Sequence, residues 1–193
     1  MGKLASFLMV SVDGYFDGSK PWALEWHNVD EEFNEFAIAQ LEASDALIFG
    51  RVTYQGMAGY WPSREAVEGD PEVASRMNQA PKIVVSRSLD KPDPAWANAR
   101  LLKANVMEEL RRLKQTADRD LLVLGSSNLT ASLMDAGVLD ELRLIVNPVA
   151  LGAGHPVLEG ARNVPLKLLS ARPFRSGNVL LTYAPRTGIE PKS

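Results

Sequence analysis

The chain has 193 residues, 46% of them hydrophobic and 23% charged, which suits one domain with a sizeable core and not a disordered or fibrous chain. A net charge of −3 gives no global attraction to nucleic acid, and no apolar run approaches the roughly 20 residues of a membrane span. With no Cys and only two His, disulfides, thiolate catalysis and the common zinc sites are excluded, so no metal is expected.

Residues 4–10 are apolar at nearly every position, like a strand buried on both faces. Asp13-Gly14 breaks this run. It is too short for a signal peptide, and a cytoplasmic protein is expected. Met1-Gly2-Lys3-Leu4-Ala5-Ser6 fits a myristoylation pattern, but only two residue types make the match. Residues 15–27 read as a loop rich in Gly, Pro and Trp. Asn28-Val29-Asp30-Glu31 has capping-box spacing, with Asp30 as a competing N-cap, ahead of Phe33, Phe36, Ala37 and Leu41 at helical spacing. Residues 46–50 are a second buried strand, leading into Arg51-Val52-Thr53-Tyr54. Residues 56–69 read as irregular, and 71–79 as a short helix capped by Asp70. Residues 82–86 form a third strand before a Pro-rich loop. Asn105-Val106-Met107-Glu108 is a further capping box, with Leu110 and Leu113 on the apolar face of its helix.

The most informative stretch comes next. An apolar strand at 121–124 runs into Gly125-Ser126-Ser127, and a short helix follows with Leu129, Leu133 and Ala136 on one face. Gly137 stops it, and another strand begins near Glu141: the minimal parallel crossover. The small residues leave a helix N-terminus open, where unpaired N–H groups and the helix dipole favour an anion such as a nucleotide phosphate. Strands at 142–149, 166–171 and 178–183 have no room for helices between them and read as antiparallel. Residues 1–185 are taken as one domain and 186–193 as a flexible tail.

Helix-linked strands first and hairpin-like strands last imply an α/β fold: a three-layer αβα sandwich around a mostly parallel mixed sheet with antiparallel C-terminal strands. Ligands of such sheets sit at the carboxyl ends of the strands. Arg51 and Arg87 both follow buried strands there, and guanidinium groups pair with phosphate in a forked geometry. Thr53, Ser86, Ser126 and Ser127 add hydroxyl donors, which together sketch a dinucleotide cradle. No glycine-rich Rossmann or P-loop signature is present, and Gly152-Ala153-Gly154 reads as a turn.

Ser11-Val12-Asp13-Gly14, Phe49-Gly50-Arg51-Val52-Thr53-Tyr54, Val85-Ser86-Arg87-Ser88-Leu89, Gly125-Ser126-Ser127, Gly137-Val138-Leu139-Asp140-Glu141-Leu142 and Pro148-Val149-Ala150-Leu151-Gly152 occur in this order. On these motifs the chain resembles the dihydrofolate-reductase-like family that includes the reductase domain of the bacterial riboflavin-biosynthesis deaminase-reductase, over roughly residues 4–183. The resemblance implies hydride transfer from NADPH to a small, heterocyclic substrate. It implies that Gly50, Arg51 and Thr53 face the adenosine and phosphate side of the cofactor. Ser86 and Arg87 would lie near the 2′-phosphate, and Gly125, Ser126, Ser127, Asn128 and Leu129 would wrap the pyrophosphate. Phe16 would lie near the nicotinamide. A homodimer is implied by analogy, and the apolar run 142–151 is a candidate interface.

Riboflavin-pathway reductases carry a Lys where this chain has Phe7, so reduction of 5-amino-6-(5-phosphoribosylamino)uracil is an alternative and not the first reading. A nucleotide- or drug-binding protein without catalysis is another. Asp13 is the candidate for proton transfer or substrate orientation, against the alternative of a plain Asp-Gly turn. Trp22, Trp26 and Tyr60 are candidate substrate-stacking residues, and they would serve equally to pack the loop. The family's carboxylate would fall among Asp30, Glu31, Glu32 and Glu35. His27 and His155 read as structural.

Overall fold

A computed structural model describes residues 1–18 and 22–186; most of the expected tail, 187–193, lies outside them. Strand β1 (Leu4–Ser11) is followed by the short β2 (Tyr15–Asp17) and helix α1 (Glu31–Glu42). Next come β3 (Ser44–Gly50), α2 (Arg51–Tyr60), α3 (Arg64–Gly69), α4 (Pro71–Gln79), β4 (Lys82–Val85) and β5 (Ala99–Leu102). The chain continues through α5 (Val106–Thr116), β6 (Asp120–Leu124), α6 (Ser127–Asp135) and β7 (Glu141–Asn147). It closes with β8 (His155–Pro156), β9 (Leu166–Pro173) and β10 (Val179–Pro185).

Eight strands form one sheet in the order β5-β4-β3-β6-β1-β7-β10-β9, and β2 pairs with β8 apart from it. Every residue of β1 is buried, because helices cover both faces of the sheet there. Ala5, Phe7 and Met9 point to one layer, with Phe33 and Ala37 of α1, Tyr54 and Ala58 of α2 and Met77 of α4. Leu4, Leu8 and Val10 point to the other, with Leu110 of α5 and Leu133 and Met134 of α6. This alternation across one central strand is what makes the sandwich three-layered.

Several local expectations are corrected. The region 56–69 is helical, not irregular: α2 carries Gly56 inside it because the Trp22 ring lies where a Cβ at Gly56 would stand. The strand at 142–149 is parallel to β1 and antiparallel only to β10, so it is the last parallel member of the sheet. Its backbone is paired on both sides, so β7 offers no free edge; β5 and β9 do. Asp30, not Asn28, caps α1, accepting from Phe33 N at 2.8 Å. Asn105 precedes α5 in a left-handed conformation (φ 51°) with no side-chain cap, so that capping box does not form. The loop reading of 15–27 misses β2, and the Pro-rich stretch ends in β5. Gly2 is buried and donates its N–H to Lys114 O at 3.0 Å, placing it within the fold.

Candidate nucleotide-binding edge

Strands β3 and β6 are sheet neighbours, yet their following helices leave to opposite faces: α2 to the layer of α1, α6 to that of α5. A crevice opens between their carboxyl ends, the topological switch point where open α/β sheets take ligands. Gly125 (φ 58°) and Ser126 (φ 60°) both adopt the left-handed region, and this double turn carries β6 into α6. A Cβ at Gly125 would stand 3.0 Å from Thr53 Cγ2 and 3.7 Å from Phe16 Cζ. Gly125, Thr53 and Phe16, far apart in sequence, are therefore brought together.

The two serines do something the sequence did not reveal. Ser126 Oγ accepts from Gly50 N at 2.8 Å, tying the end of β3 to the turn after β6. Ser127 Oγ accepts from Leu158 N at 2.6 Å. Both side chains are buried in the scaffold, and in these bonds the oxygens accept, which leaves each hydroxyl proton to be donated. The α6 N-terminus has no side-chain cap, and the first-turn N–H groups of Ser127, Asn128 and Leu129 are the donors it can offer an anion.

One strand further along the sheet, Arg51, Ser86, Arg87, Lys103 and Asn105 line a cavity of about 610 Å³. Arg51 begins α2 and is exposed, with Nη1 donating to Gln55 Oε1 at 2.9 Å. Ser86 Oγ accepts from Ser88 N (3.2 Å) and Leu89 N (3.0 Å), a turn that leaves Arg87 exposed. Among the described residues, none of Arg51, Arg87 and Lys103 is in a salt bridge. Lys103 was missed in sequence because it follows β5, a strand hidden behind the Pro-rich segment.

The other end of the edge lies over β1 and β7. Asp13 accepts from Ser11 Oγ (2.6 Å), Gly152 N (2.7 Å) and Leu151 N (3.1 Å). These donors, the Ser11 hydroxyl first, hold its pKa down at about 2. In this geometry Asp13 clamps the 151–152 turn. Two of the α1 acids are spoken for as well. Asp30 caps the helix, Glu32 pairs with Arg172 (2.9 Å) and Arg175 (3.5 Å), and Glu31 and Glu35 are exposed. Trp26 packs edge-on against His27, their rings 4.4 Å apart, and burial pushes the His27 pKa down to about 4. Trp22 lies against Gly56. Tyr60 ends α2, roughly 15 Å along the helix from Gly50 at 1.5 Å per residue, and packs on Trp61. The structure does not bring it to the strand ends. Phe7 is buried between Phe33 (6.3 Å) and Phe36 (5.7 Å).

A switch-point crevice, an uncapped helix end and exposed cations on one sheet edge define the class of this chain: an open α/β protein. Residues 3–180 match the family described as RibD C-terminal domain, and the chain belongs to that family. It is 28% identical over 179 residues to the uncharacterized protein YyaP of Bacillus subtilis (strain 168), covering 91% of each chain. It is 28% identical over 169 residues to the riboflavin biosynthesis protein RibD of Corynebacterium ammoniagenes, covering 83% of this chain and 47% of that one; the chain spans about half the length of that relative. Among solved structures it is similar to a pyrimidine reductase-like protein from Corynebacterium diphtheriae (TM-score 0.68, 12% identity, 96% of this chain and 92% of that one). A dihydrofolate reductase from Enterococcus faecalis complexed with NADP(H) superimposes with TM-score 0.62 at 16% identity, covering 95% and 96%. The fold is dihydrofolate-reductase-like.

Proposed function

We propose that the protein is an NADPH-dependent reductase acting on a small heterocyclic substrate. The observation that carries this reading is the pairing of two anion sites on one sheet edge. The α6 N-terminus and the cavity of Arg51, Arg87 and Lys103 are separated by about two strand spacings, roughly 10 Å. That distance suits a pyrophosphate at Gly125 and a 2′-phosphate at the cations, with the nicotinamide directed toward Phe16. Membership of the RibD C-terminal domain family supports a reductase, and the NADP(H) complex of the enterococcal enzyme supports the cofactor. A bound NADPH would supply the hydride; the chain's own residues would orient the ring and shield it. A cytoplasmic location accords with this reading. We propose also that two copies associate, since β9 is an unpaired edge with Leu168 and Leu169 about half exposed.

The test is direct. Arg87→Ala is expected to weaken NADPH about 10- to 100-fold, the loss of one charge-assisted contact, and to leave NADH little changed. Equal weakening of both would sink the 2′-phosphate assignment. A second reading, a nucleotide-binding protein without catalysis, is favoured by one feature: the α1 acids and Asp13 are all engaged or directed outward. It predicts tight NADPH binding with no consumption on any pteridine, flavin or quinone. For the phosphoribosylaminouracil alternative, the packed Phe7 supplies no charge to a sugar phosphate.

A further inference from the structure

Lys82, at the amino end of β4, is buried with only 1% of its surface exposed. Its Nζ donates to Ala80 O (2.8 Å), Asn78 O (2.9 Å) and Ala97 O (3.1 Å). An ammonium has three donors, so all are used, and each on a backbone carbonyl. The buried ring of Trp96 closes a further side, its centroid 4.7 Å from Nζ. Among the described residues no carboxylate pairs with Lys82. Burial pushes its pKa down to about 8, still above neutral, so the group is charged at pH 7. A buried charge without a counter-ion is costly unless dipoles take the counter-ion's place. Here carbonyl dipoles and an aromatic face do so, a donor set of the kind that holds a bare monovalent cation. Two of the carbonyls, Asn78 O and Ala80 O, belong to the C-terminal end of α4, the negative end of its dipole.

The third carbonyl shows what the cage joins. Ala97 lies near the end of the connection from β4 to β5. Its neighbour Asn98 (φ 62°) docks on the same helix end: Nδ2 donates to Gln79 O at 3.1 Å, and its carbonyl accepts from Lys82 N at 2.8 Å. Neutral bonds hold the rest of the connection, Tyr54 Oη accepting from Asp93 N (2.9 Å) and Trp96 Nε1 donating to Asn78 Oδ1 (2.9 Å). Ala99 then opens β5, an edge strand paired only with β4, from Lys82 opposite Ala99 to Val85 opposite Leu102. The ladder ends where Ser86 N donates to Leu102 O at 3.2 Å. The next residue on each side is a cation of the anion cavity, Arg87 and Lys103. We propose that Lys82 is a positioning residue for the cofactor: its ammonium serves as a tethered monovalent cation that pins the 97–98 turn to α4, sets β5 in register and so holds Lys103 beside Arg87. The proposal rests on reading that cavity as the 2′-phosphate site. It acts at a distance, since Lys82 stands roughly 13 Å from Ser86 along the strand at about 3.3 Å per residue.

Lys82→Ala removes three carbons and the ammonium, a space the shape of n-propylammonium. In this variant the β5 amides are expected to exchange about tenfold faster or more by hydrogen-exchange mass spectrometry, while β1 stays protected. NADPH is expected to weaken about tenfold, the loss of one charge-assisted contact, and NADH to change little. Added n-propylammonium is expected to restore both properties, and n-propanol neither. Equal recovery with propanol would show that packing and not charge anchors β5, and would overturn the inference; so would unaltered exchange in β5. Where the Ala variant fails to fold, Lys82→Met keeps the stem without the ammonium. It is expected to loosen β5 and weaken NADPH in the same way, and a Met variant indistinguishable from wild type would overturn the inference. Equal weakening of NADPH and NADH would cut the link from Lys82 to Lys103 and overturn it as well. If β5 loosens and is rescued but the wild type binds no NADPH, the anchoring of β5 by Lys82 stands and the cofactor reading falls.

Discussion

Asp13 illustrates how far one carboxylate's role depends on what donates to it. Its pKa lies at about 2 instead of 3.8, because Ser11 Oγ and the amides of Gly152 and Leu151 stabilise the charged form. A depressed carboxylate contributes stability that is present above its unfolded value and lost as pH falls through the folded one. The amide shifts of Leu151 and Gly152 are therefore expected to titrate near pH 2; titration near 3.8 would mean that the clamp does not form. His27 runs the other way. Burial favours its neutral form and lowers its pKa from 6.5 to about 4, so the unfolded chain binds a proton first as pH falls between these values. Stability should drop over that window by up to about 1.4 kcal/mol per pH unit. His27→Phe is expected to flatten the dependence of Tm on pH there; an unchanged slope would place the imidazole in water. Both residues were visible in sequence, but their partners were not. Asp13 meets a turn at 151–152 and Asn28 meets Asn147, and no local pattern announces contacts so far along the chain.

At the scale of elements, the parts that were legible had strong periodicity or a clear cap. The strands at β1, β3, β4 and β6, the α1 pattern and the Asp70 cap of α4 followed from apolar runs and short polar side chains at helix starts. Helix α2 was not legible. The stretch 56–69 read as irregular, and only the fold shows that Gly56 makes room for the indole of Trp22. Gly56→Val is accordingly expected to expel Trp22 from α2, seen as a red-shifted and more quenchable tryptophan emission. An unaltered spectrum would show that the ring does not lie there. The Gly125 turn was read correctly as a strand-to-helix junction, and the structure adds partners for its hydroxyl oxygens. Ser126 and Ser127 accept from Gly50 N and Leu158 N, contacts across the fold that no local pattern announces. A Ser in a left-handed conformation is tolerated here because its side chain has a fixed partner.

For the whole molecule, the architecture was legible and the location of its open edge was not. In the apolar run near 142–151, β7 is paired on both sides; the sheet's edges are β5 and β9, and β9 is the least buried long strand. Leu168→Asp is expected to convert a dimer to a monomer by light scattering; a wild-type monomer would remove the basis for the proposed association. The sheet order has another consequence. β1 is paired by β6 on one side and β7 on the other, with Leu4 opposite Leu121 and Ala5 opposite Glu141. On the ribosome, the most completely buried strand emerges long before either neighbour exists. Its eight-residue apolar segment must wait, unpaired, until most of the chain has been synthesised. The rate of translation and the availability of a chaperone, more than the stability of the finished sheet, should then govern how much protein reaches the folded state.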